Sequence, residues 1–477
     1  MNKNKKADVV LISVENGFLP SYGLPSLESF LSQEGIKTEI LYPVISNDSI
    51  SLLVSKVRAL KPKIIGIGGL FGDRFIINNI IRALGPLRKD FKIILGGLLA
   101  TPIPEFVLER LNADIVVVGE GELIFPKLVK TILADQDYRE ISGIVYREDG
   151  NIITTAPGNY IEDLNMLLPL NYEKIPMEHF INIFKYFYKY STRNNLFTPR
   201  TRLGVVLTAR GCPYQCNFCY HYGKVRLASL PNIIAQVREL KERFNINLLT
   251  FADDLTLINK KRTLELCDAL NKESFNLKYI ANAHLSCFDE EMVVALKRSG
   301  FVQIGVGLES GSQDVLDKIN KGTKIEQIRE GLDLLKKYNI SWCGGIQIGQ
   351  VGETLADVKK TKDLFYPYVD ELSNLSVSIT TPYPGTPLYY YGLKSGLISS
   401  VDFLYQKLGD LGKLYVNFSK IPDWRIRFLR LKLVTEFDMK KLKKIKGVPL
   451  AYLLFLKLIF EKILMKFTKL RLLHYLG

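Results

Sequence analysis

LGVVLTARGCPYQCNFCYHYG, residues 203–223, decides how the chain is read. A β-rich run, LGVVLT, passes directly into a loop that carries Cys212, Cys216 and Cys219 at spacing C-x3-C-x2-C. Three such thiols serve as disulfide partners, as ligands of one metal ion, or as ligands of a cluster with an open position. The chain has only six cysteines in 477 residues, and Cys267, Cys287 and Cys343 lie far from the triplet and from each other. A disulfide framework is therefore a poor reading, and the reducing cytosol fits better. Structural zinc takes four closed ligands, and no fourth Cys or His stands at C-x2-C or H-x3-H spacing; His221 is only two residues on, a poor chelating geometry. Three thiolates do suit a cubane iron-sulfur cluster, each holding one iron and leaving the fourth open to a small molecule.

Downstream of this loop the β-rich runs INLLTF, LKYIANA, VQIGVGLES, WCGGIQIG and NLSVSIT alternate with helical patterns such as PNIIAQVRELKERF and KIEQIREGLDLLKKYN. With LGVVLT they predict a partial (βα)6 TIM-type barrel over residues 203–400, more open than an eight-stranded one, with its chemistry at the strand C-terminal ends. Upstream, DVVLIS, KTEILY, KIIGIGG, KIILGG and DIVVVGEGE alternate with LPSLESFLSQEG and DRFIINNIIRALGPLRK. This predicts an α/β domain over residues 1–160 built on a doubly wound, flavodoxin-like parallel sheet. Ligands of such sheets sit beyond the strand C-terminal ends. Here those ends carry Gly68, Gly69, Gly96, Gly97, Gly119 and Gly121, a pattern that favours close approach of a bulky ligand over simple strand-to-loop turns. Glu120 and Glu122 read as the start of the next helix, where acids suit the dipole. ISGIVYREDGNIITTAPG reads as a hairpin turning at Asp149 and Gly150. Residues 161–202, with the aromatic stretch INIFKYFYKYSTRNN, have no sustained period and read as a linker whose aromatics pack.

The formal charge of +15 is mostly terminal: residues 421–477 hold fourteen Lys and Arg against four Asp and Glu. The remaining body is mildly basic and shows no basic aromatic platform, which argues against nucleic acid as a partner. Residues 401–477 are expected to be a basic helical region. The apolar run before Lys457 is too short to span a bilayer. Around a helical wheel Lys457, Glu461, Lys462, Lys466 and Lys469 fall in one half, and Ile459, Phe460, Ile463, Leu464, Phe467 and Leu470 in the other. Such a helix either packs on the barrel with a solvated outer face or makes peripheral contact with anionic lipid, which would place a cytoplasmic protein at the inner face of the membrane.

The cysteine loop, with aromatic Phe218 immediately before Cys219, resembles the C-x3-C-x-aromatic-C signature of the radical S-adenosylmethionine (SAM) superfamily. The resemblance implies that Cys212, Cys216 and Cys219 hold a 4Fe-4S cluster whose open iron chelates SAM, and that an electron delivered by a donor such as flavodoxin or ferredoxin cleaves SAM to a 5′-deoxyadenosyl radical. FADDLTL resembles the strand-end motif that meets the SAM amino group, pointing to Asp253, with Asp254 beside it. GVGLESGS resembles the SAM-contacting segment, with Glu309 as its polar contact. IGQVGET departs from the family form at Gln350 and Val351, where Leu-Pro is usual. TPYPGTPLY resembles the exit loop of the last strand. In ANAHLS, His284 stands where relatives carry Arg. Cys267 and Cys343 are expected in the packed core, as small hydrophobes.

IILGGLLATPIPEFVLER, DIVVVGEGELIFPKLV and YGLPSLESFLSQEGIKTEILY resemble the cobalamin (B12)-binding branch of that superfamily, so the six glycines above are expected to line a corrinoid cleft. Residues 1–160 contain no histidine, so cobalamin would have no lower-face imidazole from this domain, a state in which Co(I) is more readily held. The activity implied is cobalamin-dependent methyl transfer to an unactivated carbon of a small or lipid-like substrate. A radical SAM cyclase or carbon-carbon coupling enzyme with a structural first domain is the alternative. A methylthiotransferase is disfavoured because residues 1–160 contain no cysteine for a second cluster, and an intact triplet argues against an inactive membrane-associated binding protein.

Overall fold

Val9, Val10, Leu11 and Ile12 are completely buried in the computed structural model, as expected of a strand covered on both faces. The structure describes residues 6–14, 20, 22–183, 197–221, 223–369, 372–409 and 412–446, with backbone alone at 372–375 and 442–446. The amphipathic pattern from Lys457 to Leu470 and most of INIFKYFYKYSTRNN lie outside the described residues. The chain divides between Phe180 and Ile181 into two compact units, each taken by itself below.

The first unit is built on strands β1 (Val9–Ser13), β2 (Thr38–Leu41), β3 (Ile64–Gly68), β4 (Lys92–Gly96), β5 (Ile115–Val117), β6 (Ile144–Glu148) and β7 (Asn151–Thr154), in spatial order β2-β1-β3-β4-β5-β6-β7. The first five pair in parallel, giving the expected flavodoxin-like order, and helices such as Gly23–Gln33, Arg74–Leu84 and Gly121–Leu133 cover the faces. The expected hairpin is β6–β7, with Asp149 (φ 49°) and Gly150 (φ 82°) at its tip, the left-handed pair of a two-residue turn. It extends the sheet rather than lying apart, because β6 pairs antiparallel with β5. The division at Phe180 falls inside the segment read as a linker, and Ile161, Leu164, Tyr172 and Ile175 from that segment are buried.

In the second unit β8 (Leu203–Val206) leads to a two-residue strand β9 (Ala209–Arg210), which pairs antiparallel with β10 (Arg226–Leu227). This ribbon, which nothing in the sequence pattern announced, closes the base of the cysteine loop. Strands β11 (Leu248–Phe251), β12 (Lys278–Ala283), β13 (Phe301–Glu309), β14 (Ser341–Ile348) and β15 (Leu372–Ile379) follow, and with β8 they form a six-stranded parallel sheet in consecutive order. Among the described residues β8 and β15 remain its two edges, so the barrel is open as predicted. Helices start at side-chain caps: Ser229, Asn259 and Asp289 each accept the backbone N–H three residues on, ahead of helices Leu230–Phe244, Lys260–Glu273 and Glu290–Ser299. Helix Asp423–Lys446 buries Ile426, Leu433 and Phe437, and Arg430 Nε donates to Val377 O at 2.9 Å on β15.

Candidate active site

The cysteine loop is held by hydrogen bonds between its backbone and its neighbours. At its entry Asp253, just past β11, accepts from Thr208 N at 2.6 Å, Thr208 Oγ1 at 2.5 Å and Ala209 N at 2.9 Å. Further along, Asn320 Nδ2 donates to Gln215 O at 2.9 Å, Asn217 N to Ile319 O at 3.0 Å, and Leu388 N to Asn217 O at 2.8 Å. His221 Nε2 lies 3.0 Å from Cys216 O and must donate, since a carbonyl only accepts. All six cysteines are unbridged; Cys216 is buried, Cys212 half-buried and Cys219 exposed. Phe218 is half-buried beside Cys219.

Burial lifts the Cys212 and Cys216 thiols above the ordinary thiol range, Lys321 pulling both down and Asp254 and Glu309 pushing Cys212 and Cys216 up respectively. Thiols so placed lose their protons when a metal takes them. Among the described residues no three Cys, His, Asp or Glu converge tightly enough to hold a single metal ion. A site for one zinc needs its ligands about 2.0–2.3 Å from a common centre. A cluster instead gives each thiolate its own iron, and three sulfurs from one short, stapled loop fit that requirement.

At the carboxyl end of β13, Glu309 is 6% exposed and adopts φ 58°, a left-handed conformation uncommon outside glycine. The β13–β14 register slips between Gly307 and Glu309, and this bulge re-aims the carboxylate. Glu309 Oε1 accepts from Lys321 Nζ at 3.0 Å, and Oε2 from Gln347 Nε2 at 2.8 Å. Gln350 Nε2 donates in turn to Gln347 Oε1 at 3.2 Å, so the residue that departs from the family loop joins the same network. Gly307 leaves the Lys321–Glu309 pair its space. A Cβ on it would stand 2.7 Å from both Glu309 Oε1 and Lys321 Nζ.

His284, after β12, connects that network to the cysteine loop. Its Nε2 lies 3.0 Å from Lys321 O, its Nδ1 2.7 Å from Ser286 Oγ, and Ser286 Oγ 2.8 Å from Tyr214 OH. The proton positions follow from the partners. Lys321 O only accepts, so Nε2 carries the hydrogen; burial first and the Lys321 charge second depress His284 to about 4, so Nδ1 is bare at neutral pH. Ser286 then donates to Nδ1 and accepts from Tyr214. The Tyr214 ring, between Cys212 and Cys216 in sequence, stacks on the imidazole at 3.7 Å and presses on Gly322.

Of the residues singled out in this unit, the structure gathers Cys212, Cys216 and Cys219, Glu309, His284 and Gln350 at the strand exits. Asp253 has a local role. Both of its carboxylate oxygens are taken up by Thr208 and Ala209, so this acid shapes the cysteine loop, while exposed Asp254 is the member of the pair whose charge reaches Cys212. Likewise both His284 nitrogens and both Glu309 oxygens have protein partners. Sequence reasoning missed Lys321, Gln347, Tyr214 and Ser286. The one signal in the chain was Lys321-Gly322, a charged residue before a glycine that follows no apolar period. Cys267 is fully buried in helix Lys260–Glu273 and Cys343 lies in β14.

In the first unit the glycine-bearing strand ends contain little ionisable chemistry. Gly97 (φ 76°) follows β4, and a Cβ there would meet Gly69 O at 3.1 Å and Gly69 N at 3.2 Å, so two adjacent exits close against each other. Gly119 (φ 88°) donates to Thr101 Oγ1 at 3.1 Å. Gly68, Gly96 and Gly119 would meet only ordinary contacts beyond 3.5 Å, while Gly121 begins its helix against Leu27. Exposed Leu70 and Phe75 supply apolar surface beside the β3 exit. Glu120 accepts from Ile161 N at 2.9 Å and Glu122 from Ser26 Oγ at 3.2 Å, consistent with structural roles at the helix start.

Residues 206–365 match the model of the radical SAM superfamily and residues 5–129 that of the B12 binding domain. The chain belongs to the B12-binding branch of the radical SAM superfamily. It is 26% identical over 389 residues to an uncharacterized methyltransferase of Pyrococcus horikoshii, covering 80% of this chain and 81% of that one. It is 25% identical to an anaerobic magnesium-protoporphyrin IX monomethyl ester cyclase of Rubrivivax gelatinosus, covering 78% of this chain and 66% of the cyclase. The same fold is found in the solved structure of the radical SAM methyltransferase TsrM from Kitasatospora setae with cobalamin and a 4Fe-4S cluster bound, at TM-score 0.65 and 18% identity, covering 82% of this chain and 75% of that one.

Proposed function

We propose that this protein is a cobalamin-dependent radical SAM methyltransferase acting on an unactivated carbon of a small or lipid-like substrate. The observation that carries the reading is the pairing, in one chain, of a stapled three-cysteine loop at an open barrel mouth with a glycine-edged, flavodoxin-order sheet. When bound, a 4Fe-4S cluster supplies the electron that cleaves SAM to the 5′-deoxyadenosyl radical, and a corrinoid supplies the methyl group. Cys212, Cys216 and Cys219 would hold the cluster. Glu309 and Gln347 would lie on the SAM side of the site, Lys321 would stand by the cysteine loop, and Phe218 would pack beside the cluster. In the first unit Gly68, Gly96 and Gly119 would admit the corrinoid, with Gly69, Gly97 and Gly121 shaping the walls. A cobalt held there would receive no imidazole from residues 1–160.

The test is product analysis of anaerobically reconstituted protein with SAM, reductant and hydroxocobalamin. Methyl transfer requires S-adenosylhomocysteine as well as 5′-deoxyadenosine, and about one corrinoid retained per chain. A chain with a full cluster that yields 5′-deoxyadenosine but neither retains corrinoid nor forms S-adenosylhomocysteine is a cyclase or coupling enzyme, the second reading, which the similarity to the Rubrivivax cyclase favours.

A flavodoxin or ferredoxin is the electron donor this chemistry calls for. For a lipid-like substrate, helix Asp423–Lys446 is relevant: Trp424, Phe428 and Leu431 are exposed along one stripe, flanked by Arg425, Arg427 and Lys432. Apolar and basic groups so arranged suit an anionic bilayer surface. Among the described residues no helix is long and apolar enough to cross one. Flotation with phosphatidylglycerol vesicles should be lost on Trp424→Asp/Phe428→Asp; unchanged flotation of that variant removes this surface from the proposal.

A further inference from the structure

The Lys321–Glu309 ion pair is unusually well accommodated. Its partners are only 9% and 8% exposed, it depends on a β-bulge and a left-handed glutamate, and Gly307 lacks a side chain where one would collide with both partners. Burying two charges carries a desolvation penalty that their mutual attraction seldom exceeds by much, so such a pair is weak evidence for stability. Its position is more informative. Burial works against the Lys321 charge, and the Glu309 carboxylate, 3.0 Å away, is the main influence that holds the proton on it. Among the hydrogen bonds of the described residues that ammonium donates one, to Glu309 Oε1.

The placement is fixed from both sides. His284 Nε2–H holds the Lys321 carbonyl, and Tyr214, from within the cysteine loop, packs on the next residue, Gly322. Asn320 and Ile319, immediately before Lys321, hold the backbone of Gln215 and Asn217. The turn that carries Lys321 and the loop that carries the thiols are therefore joined on both sides of Cys216. The reduction potential of an iron-sulfur cluster responds to net charge and to hydrogen bonds on its sulfurs.

We propose that Lys321 and Glu309 are the electrostatic control of the cysteine-held cluster: the ammonium of Lys321, on the turn bonded to the cysteine loop on either side of Cys216, favours arrival of the electron, and Glu309 limits how much of that charge the cluster feels. The proposal rests on the reading that the three cysteines hold a 4Fe-4S cluster. In it Lys321 and Glu309 are positioning residues that act through the cluster.

The experiment is an electron paramagnetic resonance redox titration of full-length protein, reconstituted with iron and sulfide and titrated without SAM. Lys321→Gln should be harder to reduce and Glu309→Gln easier, each by about tenfold in the reduction equilibrium, or about 59 mV for one electron. The double variant should return towards the parent value. Potentials that stay together, or move in the same direction, at four irons per chain overturn the proposal while leaving the cluster reading intact. Iron at background in the parent protein overturns both. If Lys321→Gln does not fold, the near-isosteric Glu309→Gln still has a required sign, and a fall or no change in its potential defeats the proposal.

Discussion

The carboxyl ends of the two parallel sheets are built from opposite materials. At the six-stranded sheet the exits of β11 to β14 contribute ionisable and hydrogen-bonding side chains whose partners are nearly all fixed by the protein: Asp253, His284, Glu309, Lys321 and Gln347. At the seven-stranded sheet the exits of β3, β4 and β5 contribute backbone, held in close register where Gly97 meets Gly69. The difference suits two kinds of ligand. A cluster and a charged cosubstrate need directed charge, whereas a large flat macrocycle needs room and unobstructed N–H and C=O groups.

The largest expected effect breaks the first region outright. Cys216→Ala should leave the corrinoid spectrum of the protein in place while abolishing the iron-sulfur absorbance and all 5′-deoxyadenosine formation; retention of four irons would remove Cys216 from the ligand set.

A smaller effect is expected from Asp253→Asn. The carboxylate accepts three hydrogen bonds, and an amide both loses an acceptor and points a donor at donors, at a cost of about 1–3 kcal/mol. Iron retention should drop about 10–100-fold, as for residues that support metal ligands. Chelator-challenge kinetics would measure it. If Asp253 instead contacts only SAM, iron retention is unaffected and the KM for SAM rises.

Gly97→Ala probes the other region. At φ 76°, with Gly69 O 3.1 Å from the new Cβ, it should cost about 1–3 kcal/mol in thermal or urea unfolding of the first unit. Bound corrinoid should fall with iron content unchanged. Loss of both cofactors together would mean that the two regions do not act separately.

The smallest effect concerns pH. The folded His284 has its pKa near 4 against an ordinary 6.5. Above 6.5 the imidazole is neutral in folded and unfolded chains alike and contributes no pH dependence. As pH falls from 6.5 to 4 the unfolded chain takes up a proton that the folded one resists, so stability declines by up to about 3 kcal/mol and then levels off. Urea titrations of apoprotein should show this decline, and His284→Gln should flatten it; an unchanged slope would assign it to other groups.

Much of the architecture was legible in the chain itself. Eleven parallel strands announce themselves because each is an apolar run bounded by glycine or by an amphipathic helix, and both signals are local. The cysteine triplet was legible for the same reason, since its three sulfurs come from one loop of eight residues. The antiparallel ribbon Ala209–Arg210 with Arg226–Leu227 escaped notice because two residues per strand carry no period. Asp253 was legible as a strand-end acid, but its bonds to Thr208, 45 residues away, were not.

By itself, then, the sequence determined the two parallel sheets, the place of the cysteine loop at a strand end, and the absence of histidine from residues 1–160. Only the tertiary structure decided which charges meet there. Lys321 and Glu309 are twelve residues apart on a bulged strand and a later turn, and Tyr214 reaches His284 across seventy residues of chain. Apolar periodicity is written in neighbouring residues. The pairing of buried charges depends on where separate strands end, and on a missing Cβ at Gly307 that leaves the pair its space.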